Sequence, residues 1–394
     1  MNSSRILKKK NVAISIFAVY REKIIKEFGF IGVIDGEIVK AFVTNMRKKR
    51  FTNFHFSRVV SRLLIPALIF LFLNGCLPKS VENTKGQTTL TVYGFSIMKE
   101  ALEKEIYPAF AAKWKQEKGE DVAFASSFAG SETVTNQILQ GAPADFAILS
   151  IERDVERLAA GGAVTSNWKS AQHGSIINKT PFVILVRKGN PKGIRDFSDL
   201  AKPGVQLIHP DPVSSGGAQW SILSIYGSEL KKSEKEGAMN SQRAEQLLQD
   251  IWKNVRSTPG SAREARTQFE TGYGDALITY ELEGLLMKQA GAAIDIVVPQ
   301  STIFSEHPAV IIDRNVKSEK RAVAEAFLQY LWTEEAQRAF VKYHFRSITN
   351  EKLNEAKPEF AKIEMPFDVG LYGGWQRAYP EIIEGVFQNK VQRK

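Results

Sequence analysis

Cysteine is nearly absent: Cys76 is the only one in 394 residues. A single thiol cannot form an intrachain disulfide, a Cys-x-x-Cys redox pair or a zinc-finger cluster. Histidine is scarce as well. The five residues His55, His173, His209, His307 and His344 show no H-E-x-x-H spacing, so neither a metal nor a cofactor is expected. G-x-S-x-G, P-loop and dinucleotide fingerprints are missing. The S-x-x-K pattern of penicillin-recognising enzymes occurs at Ser96-Ile97-Met98-Lys99 and again at Ser166-Asn167-Trp168-Lys169. Neither copy has the S-D-N or K-T-G partner that the chemistry requires, so that serine enzyme is the weaker alternative and the chain is not expected to be an enzyme.

A basic surplus is present, but only at one end. The chain carries 53 Lys/Arg and 43 Asp/Glu; residues 1–75 hold 14 and 4 of these, leaving 39 of each sign in the remainder. A neutral body argues against a nucleic-acid surface. Arg47, Lys48, Lys49, Arg50, Arg58 and Arg62 precede an apolar run from Leu63 to Leu73, followed by Asn74-Gly75-Cys76. A positive segment, a short apolar segment and a small residue before the cut describe a secretory leader over residues 46–76. The run is too short for a permanent membrane helix. Leu73-Asn74-Gly75-Cys76 resembles a bacterial lipobox, which makes Cys76 a candidate lipidation site and the membrane a partner through that anchor. Residues 1–45 do not fit a leader and are read as an upstream extension, with translation beginning at Met46. Residues 77–87 are polar and aperiodic, a tether.

From Thr88 onward, short apolar strands alternate with amphipathic helices. Strands are expected at Leu90–Tyr93, Val122–Ala125, Asp145–Leu149, Thr180–Arg187, Val205–His209, Ala276–Thr279, Ile294–Val298 and Ala309–Asp313. Helices are expected at Met98–Lys118, Glu132–Gln140, Gln219–Leu230, Ala244–Val255, Ala265–Thr271, Glu319–Trp332 and Glu334–Tyr343. Gly119 closes the first of these. The alternation predicts an α/β fold of mixed, mostly parallel sheets covered by helices. The body is long enough for two lobes. We assign residues 88–182 and 301–394 to the first lobe and 183–300 to the second, with a cleft between them.

Ser/Gly-rich turns stand directly between strand and helix at Phe128-Ala129-Gly130-Ser131-Glu132, at Val213-Ser214-Ser215-Gly216-Gly217-Ala218, and at Pro259-Gly260-Ser261-Ala262-Arg263. In an open α/β sheet such turns sit at the carboxyl ends of strands, where ligands bind. Each helix start offers unpaired N–H groups and the positive end of a dipole, and glycine lets backbone approach an anion closely. Ser and Gly are ordinary caps, so one such turn says little; three in one chain describe an oxyanion cradle without a cationic side chain. Glu132, in the first turn of its helix, is expected to face solvent.

The chain also resembles the periplasmic sulfate- and thiosulfate-binding proteins of ABC importers, from Thr88 to about Ala378. The resemblance rests on AAKWKQEKG (Ala111–Gly119), VRKGNP (Val186–Pro191), KPGV (Lys202–Val205), SSGGAQW (Ser214–Trp220), GDALITYELE (Gly274–Glu283), AVAEAFLQYL (Ala322–Leu331) and GGW (Gly373–Trp375). It implies a type II periplasmic-binding-protein fold that holds a fully ionised anion through neutral donors and hands it to an ABC permease. Carried over, Ser131 donates from backbone and hydroxyl, Ser215 from its hydroxyl, and Gly216, Gly217 and Ala262 from backbone N–H. Tyr280 stands where many relatives have a Trp. Two family positions depart: Gly94 replaces an Asp and Gln219 an Arg. Ser96, in the loop after Gly94, is an additional candidate donor, and Arg263 is expected to steady its helix. Sulfate, thiosulfate, molybdate and tungstate carry no proton at neutral pH and suit an all-donor site. Hydrogen phosphate needs an acceptor, for which Asp211 and Glu281 are the nearest candidates in sequence. A monomer is expected.

Overall fold

The structure, a computed structural model, describes residues 87–392. The extension 1–45, the leader 46–76 with Cys76, and the tether up to residue 86 lie outside the described residues. Gln87 is already the first residue of β1 (Gln87–Phe95). Along β1, Leu90 and Val92 point inward and are fully buried, the two-residue period of a strand on a covered face.

The first half of the molecule joins β1, β2 (Asp121–Ala129) and β3 (Phe146–Ile148) in parallel, with β9 (Ser301–Ile311) antiparallel to β3. The second half joins β4 (Ile176–Arg187), β5 (Leu207–Ile208), β6 (Val255–Ser257), β7 (Ala276–Tyr280) and β8 (Ile294–Val297), with β5 parallel to both β6 and β7 and β4 antiparallel to β7 and β8. β10 (Met365–Phe367) lies parallel on β9. β4 and β9 connect the halves. Residues 176–181 of β4 pair with β9 and residues 182–186 with β7, so β4 changes partner at Pro181–Phe182.

Helices cover these sheets: α1 (Tyr107–Lys118), α2 (Ser131–Leu139), α3 (Glu152–Ala160), α4 (Gly216–Lys235), α5 (Ser241–Trp252), α6 (Ala262–Glu270), α7 (Glu281–Gln289), α8 (Ser318–Tyr330) and α9 (Glu334–Lys342). Gly119 ends α1 with φ 73°, the left-handed cap expected there. Phe327 of α8 anchors the first half, with ring centroids 5.0–5.1 Å from Phe110, Phe124 and Phe146. Almost every residue of α4 from Gly216 to Leu230 is buried, which explains its run of small Ser and Gly side chains. The terminal helical segment Tyr379–Gln392 packs Phe387 edge-on against Trp252 of α5.

The turn expected at Phe128-Ala129 is absent. β2 runs through both residues, and only Gly130 separates it from α2. α3, α7 and β6 had no counterpart in the sequence reading. In α3 the first-turn charges Glu152, Arg153 and Asp154 mask the inward pair Val155 and Leu158. No helix among the described residues is long and apolar enough to cross a membrane.

Candidate functional site

Each Ser/Gly turn lies at the carboxyl end of a strand and opens a helix: β2 into α2, β5 into α4, β6 into α6. The first-turn amides of these helices have no carbonyl of their own helix to donate to. The three turns meet at Gly130. A Cβ built there would fall 2.6 Å from the Gly260 carbonyl oxygen and closer still to that of Ser214. The Thr133 N–H donates to the Ser214 carbonyl at 3.4 Å, and the Ser214 hydroxyl donates to the Gly260 carbonyl at 2.8 Å. Only glycine permits this approach.

The glycines of α4 face the other side of the same point. A Cβ on Gly216 would lie 3.2 Å from the Ser131 Cβ and 2.9 Å from that of Ser150; one on Gly217 would lie 2.7 Å from the Tyr280 hydroxyl. Ser131, Gly216, Gly217 and Tyr280 are therefore brought together. Ser215 caps α4, its Oγ accepting from the Ala218 N–H at 3.4 Å, which leaves its hydroxyl proton available. Ala262 is the buried first residue of α6, two positions beyond Gly260. Ser96 opens the short helical turn after β1 that packs on α6.

Sequence reasoning missed a fourth strand-end turn, Leu149-Ser150-Ile151, between β3 and α3. The signal was present in Ile151, Val155 and Leu158 at helical spacing behind a serine. Ser150 is fully buried. Its N–H donates to the Ser131 Oγ at 2.9 Å, its carbonyl accepts from the Trp220 indole at 2.7 Å, and its hydroxyl lies 2.8 Å from that of Tyr280. The Ser131 hydroxyl in turn donates to Asp154 of α3 at 2.6 Å. Ser131 thus has its backbone N–H, rather than its hydroxyl proton, free for a guest.

Glu132 does not face solvent as expected: it is buried. Arg153 bonds one carboxylate oxygen at 2.9 Å and Arg157 the other, and the Gln219 side-chain amide, from the opposite half of the molecule, donates at 2.9 Å to the oxygen that Arg153 holds. The guanidinium of Arg153 also stacks 3.3 Å from the ring centre of Tyr379. Burial is the first reason the Asp154 carboxyl is pushed up to about 8, and the adjacent Glu132 charge is the second. Burial likewise raises the Tyr280 phenol well above its ordinary value, so it remains a proton donor.

Charge near the turns is internally matched. Arg263 joins Glu100 and Glu283, reaching Glu283 at 2.9 Å and bonding Glu100 through both nitrogens. It therefore ties α6 to the first half of the molecule as well as steadying its own helix. Phe128 covers Gly94, whose Cβ would meet the ring at 2.8 Å, so an Asp could not stand there without displacing the ring. Asp211 and Glu281, the phosphate acceptors considered from sequence, are engaged elsewhere: Asp211 with the Val213 N–H, Glu281 with Arg346 and the Ala361 N–H. Among the described residues no group of His, Cys, Asp and Glu could hold a metal ion.

Strand-end turns that open helices thus converge between two α/β halves of the molecule. Residues 90–346 match the family described as bacterial extracellular solute-binding protein, and the chain belongs to that family. Among its relatives, the sulfate-binding protein of Synechococcus elongatus is 34% identical over 308 residues, covering 77% of this chain and 86% of that protein. The thiosulfate-binding protein of Pseudomonas aeruginosa is 33% identical over 282 residues, covering 69% and 82%. Of solved structures, the sulfate-binding protein SubI from Mycobacterium tuberculosis superposes with a TM-score of 0.68 at 29% identity, covering 75% of this chain and 99% of that one. The fold is the two-lobed periplasmic-binding-protein fold.

Proposed function

We propose that this protein captures sulfate or thiosulfate outside the cytoplasm and delivers it to an ABC importer. The observation that carries the reading is the meeting of three helix N-termini at Gly130, with the α4 glycines on the opposite side. The backbone amides of Ser131, Gly216, Gly217 and Ala262, with the hydroxyls of Ser215 and Tyr280 and with Ser96 at the edge, form the donor set. Such a set suits a dianion that carries no proton. Hydrogen phosphate would bury an O–H facing other donors, which costs affinity. The names of the relatives support the same ligand class.

In this reading the lobes are 88–182 with 301–394, and 183–300. They close about β4 and β9 when the anion bridges them, and the closed form docks on a permease. The protein is not an enzyme and acts as a monomer. Residues 46–76 direct export, and Cys76 carries the lipid that holds the protein at the membrane. Calorimetry of the purified protein with sulfate, thiosulfate, molybdate and phosphate tests the ligand. Saturable binding of sulfate or thiosulfate, with phosphate much weaker, is expected; phosphate competing equally would remove the all-donor site. Mass spectrometry of the membrane-extracted chain tests the anchor: an acylated Cys76 N-terminus is expected, and an unmodified thiol would exclude it.

A further inference from the structure

Ser150 lies outside the family's donor set as carried over above, yet its N–H and its hydroxyl both meet residues of that set. It leaves β3 in the first half of the molecule and touches three elements of the site. Its N–H holds the Ser131 oxygen, its Cβ lies where a side chain on Gly216 would have to go, and its hydroxyl meets Tyr280 at the end of β7 in the second half. Its carbonyl is fixed by Trp220, so the backbone that presents the hydroxyl is held on both sides.

We propose that Ser150 is itself an anion-binding residue, forming with Tyr280 a hydroxyl couple that delivers one hydrogen bond to the bound oxyanion across the seam between the lobes. Proton counting supports this. Each hydroxyl has one proton and two lone pairs. One proton makes the 2.8 Å bond between the two oxygens; the other remains. The Tyr280 oxygen stands 2.7 Å from the Cβ position of Gly217, and the Ser150 oxygen 3.1 Å from that of Gly216, so both oxygens stand beside the first turn of α4, where the proposed anion sits and where the spare proton can be delivered. Either oxygen can supply it.

This inference rests on the oxyanion reading above, and the test separates the two. Ser150→Ala, Tyr280→Phe and the double variant are titrated by calorimetry with sulfate, thiosulfate and molybdate, and each is melted without ligand. Each single variant is expected to weaken sulfate about three- to tenfold, because the surviving hydroxyl still donates from a poorer position. The double variant, with no proton left, is expected to lose more than the product of the two single losses. The loss is also expected to differ between anions of different size, since a hydrogen bond from one wall depends on reach. A contact that merely helps the lobes close would scale every anion by the same factor, and that result overturns the proposal. Ser150→Ala binding sulfate as tightly as the parent protein does so too. If Ser150→Ala fails to fold, Tyr280→Phe still decides: sulfate affinity unchanged from the parent removes the couple. A parent protein that binds none of the three anions refutes the functional reading itself.

Discussion

Gly130→Ala isolates the close approach on which the cleft depends. Gly130 has φ −63° and ψ 146°, extended backbone that alanine adopts without strain. The only change is therefore a methyl group placed 2.6 Å from the Gly260 carbonyl oxygen and nearer to that of Ser214. An ordinary contact needs 3.4 Å or more, so the two turns of the second lobe must retreat by about 0.8 Å or more to admit the methyl carbon. Both obstacles are backbone atoms held by the Ser214–Gly260 and Asp211–Pro259 hydrogen bonds, so neither can swing aside as a side chain would. Overpacking of this kind costs about 1–3 kcal/mol. With rigid obstacles the upper end applies, a weakening of about 100-fold in Kd. On the hinge closure proposed above, the clash exists only while the lobes are closed. The variant should therefore melt at the parent temperature without ligand and lose the ligand-induced rise in Tm. Calorimetry with sulfate and paired melts measure both. Sulfate binding within threefold of the parent, or a destabilised unliganded protein, would refute the reasoning that Gly130 is the contact point of closure.

Arg263→Ala leaves Glu283, whose side chain is fully buried, with Arg266 alone at 3.1 Å. Removing one partner of such a group costs several kcal/mol when nothing remains; with Arg266 still present, a loss of about 2 kcal/mol in urea unfolding is expected, and no loss would mean that Arg266 suffices. Asp154 is raised by burial to about 8. Its contribution to stability is complete below the unfolded carboxylate value near 4 and is lost as pH rises through about 8. Asp154→Asn, which can still accept from Ser131, should flatten the fall in Tm between pH 5 and pH 8. His307 and His209 shift the other way, burial holding them down to about 3 and about 4. Their stabilising contribution is present above pH 6.5 and is lost as pH falls toward those values. His307→Gln should therefore lose less stability than the parent between pH 6.5 and pH 4, read by melts at matched ionic strength.

Much of the fold is legible in one dimension. The two-residue alternation of Leu90 and Val92, the helical spacing of Phe110 and Trp114, and the left-handed Gly119 follow from local geometry, and each stands where the sequence indicates. The Ser/Gly turns are equally local, because a helix cap is written in the residues that make it. Elements whose inward face is narrow were not legible: α3 buries only Asp154, Val155 and Leu158, so its charges dominate the pattern. Glu132 misled for a related reason. A carboxylate in a first helical turn normally faces water, and only Arg153 and Arg157 of α3 and Gln219 of α4, brought from two distant places in the chain, make its burial tolerable.

The sequence alone determined which segments end in helix-opening amides, because backbone conformation near Gly, Ser and a helix start depends on nearest neighbours. Which of those ends share one cleft was decided by the tertiary structure. The partner change of β4 at Pro181–Phe182 joins the strands of the two halves, and that long-range pairing brings Gly130 to Gly260 and Ser150 to Tyr280. Contacts between residues 130 positions apart depend on which distant strands pair, and no local pattern of residues encodes that.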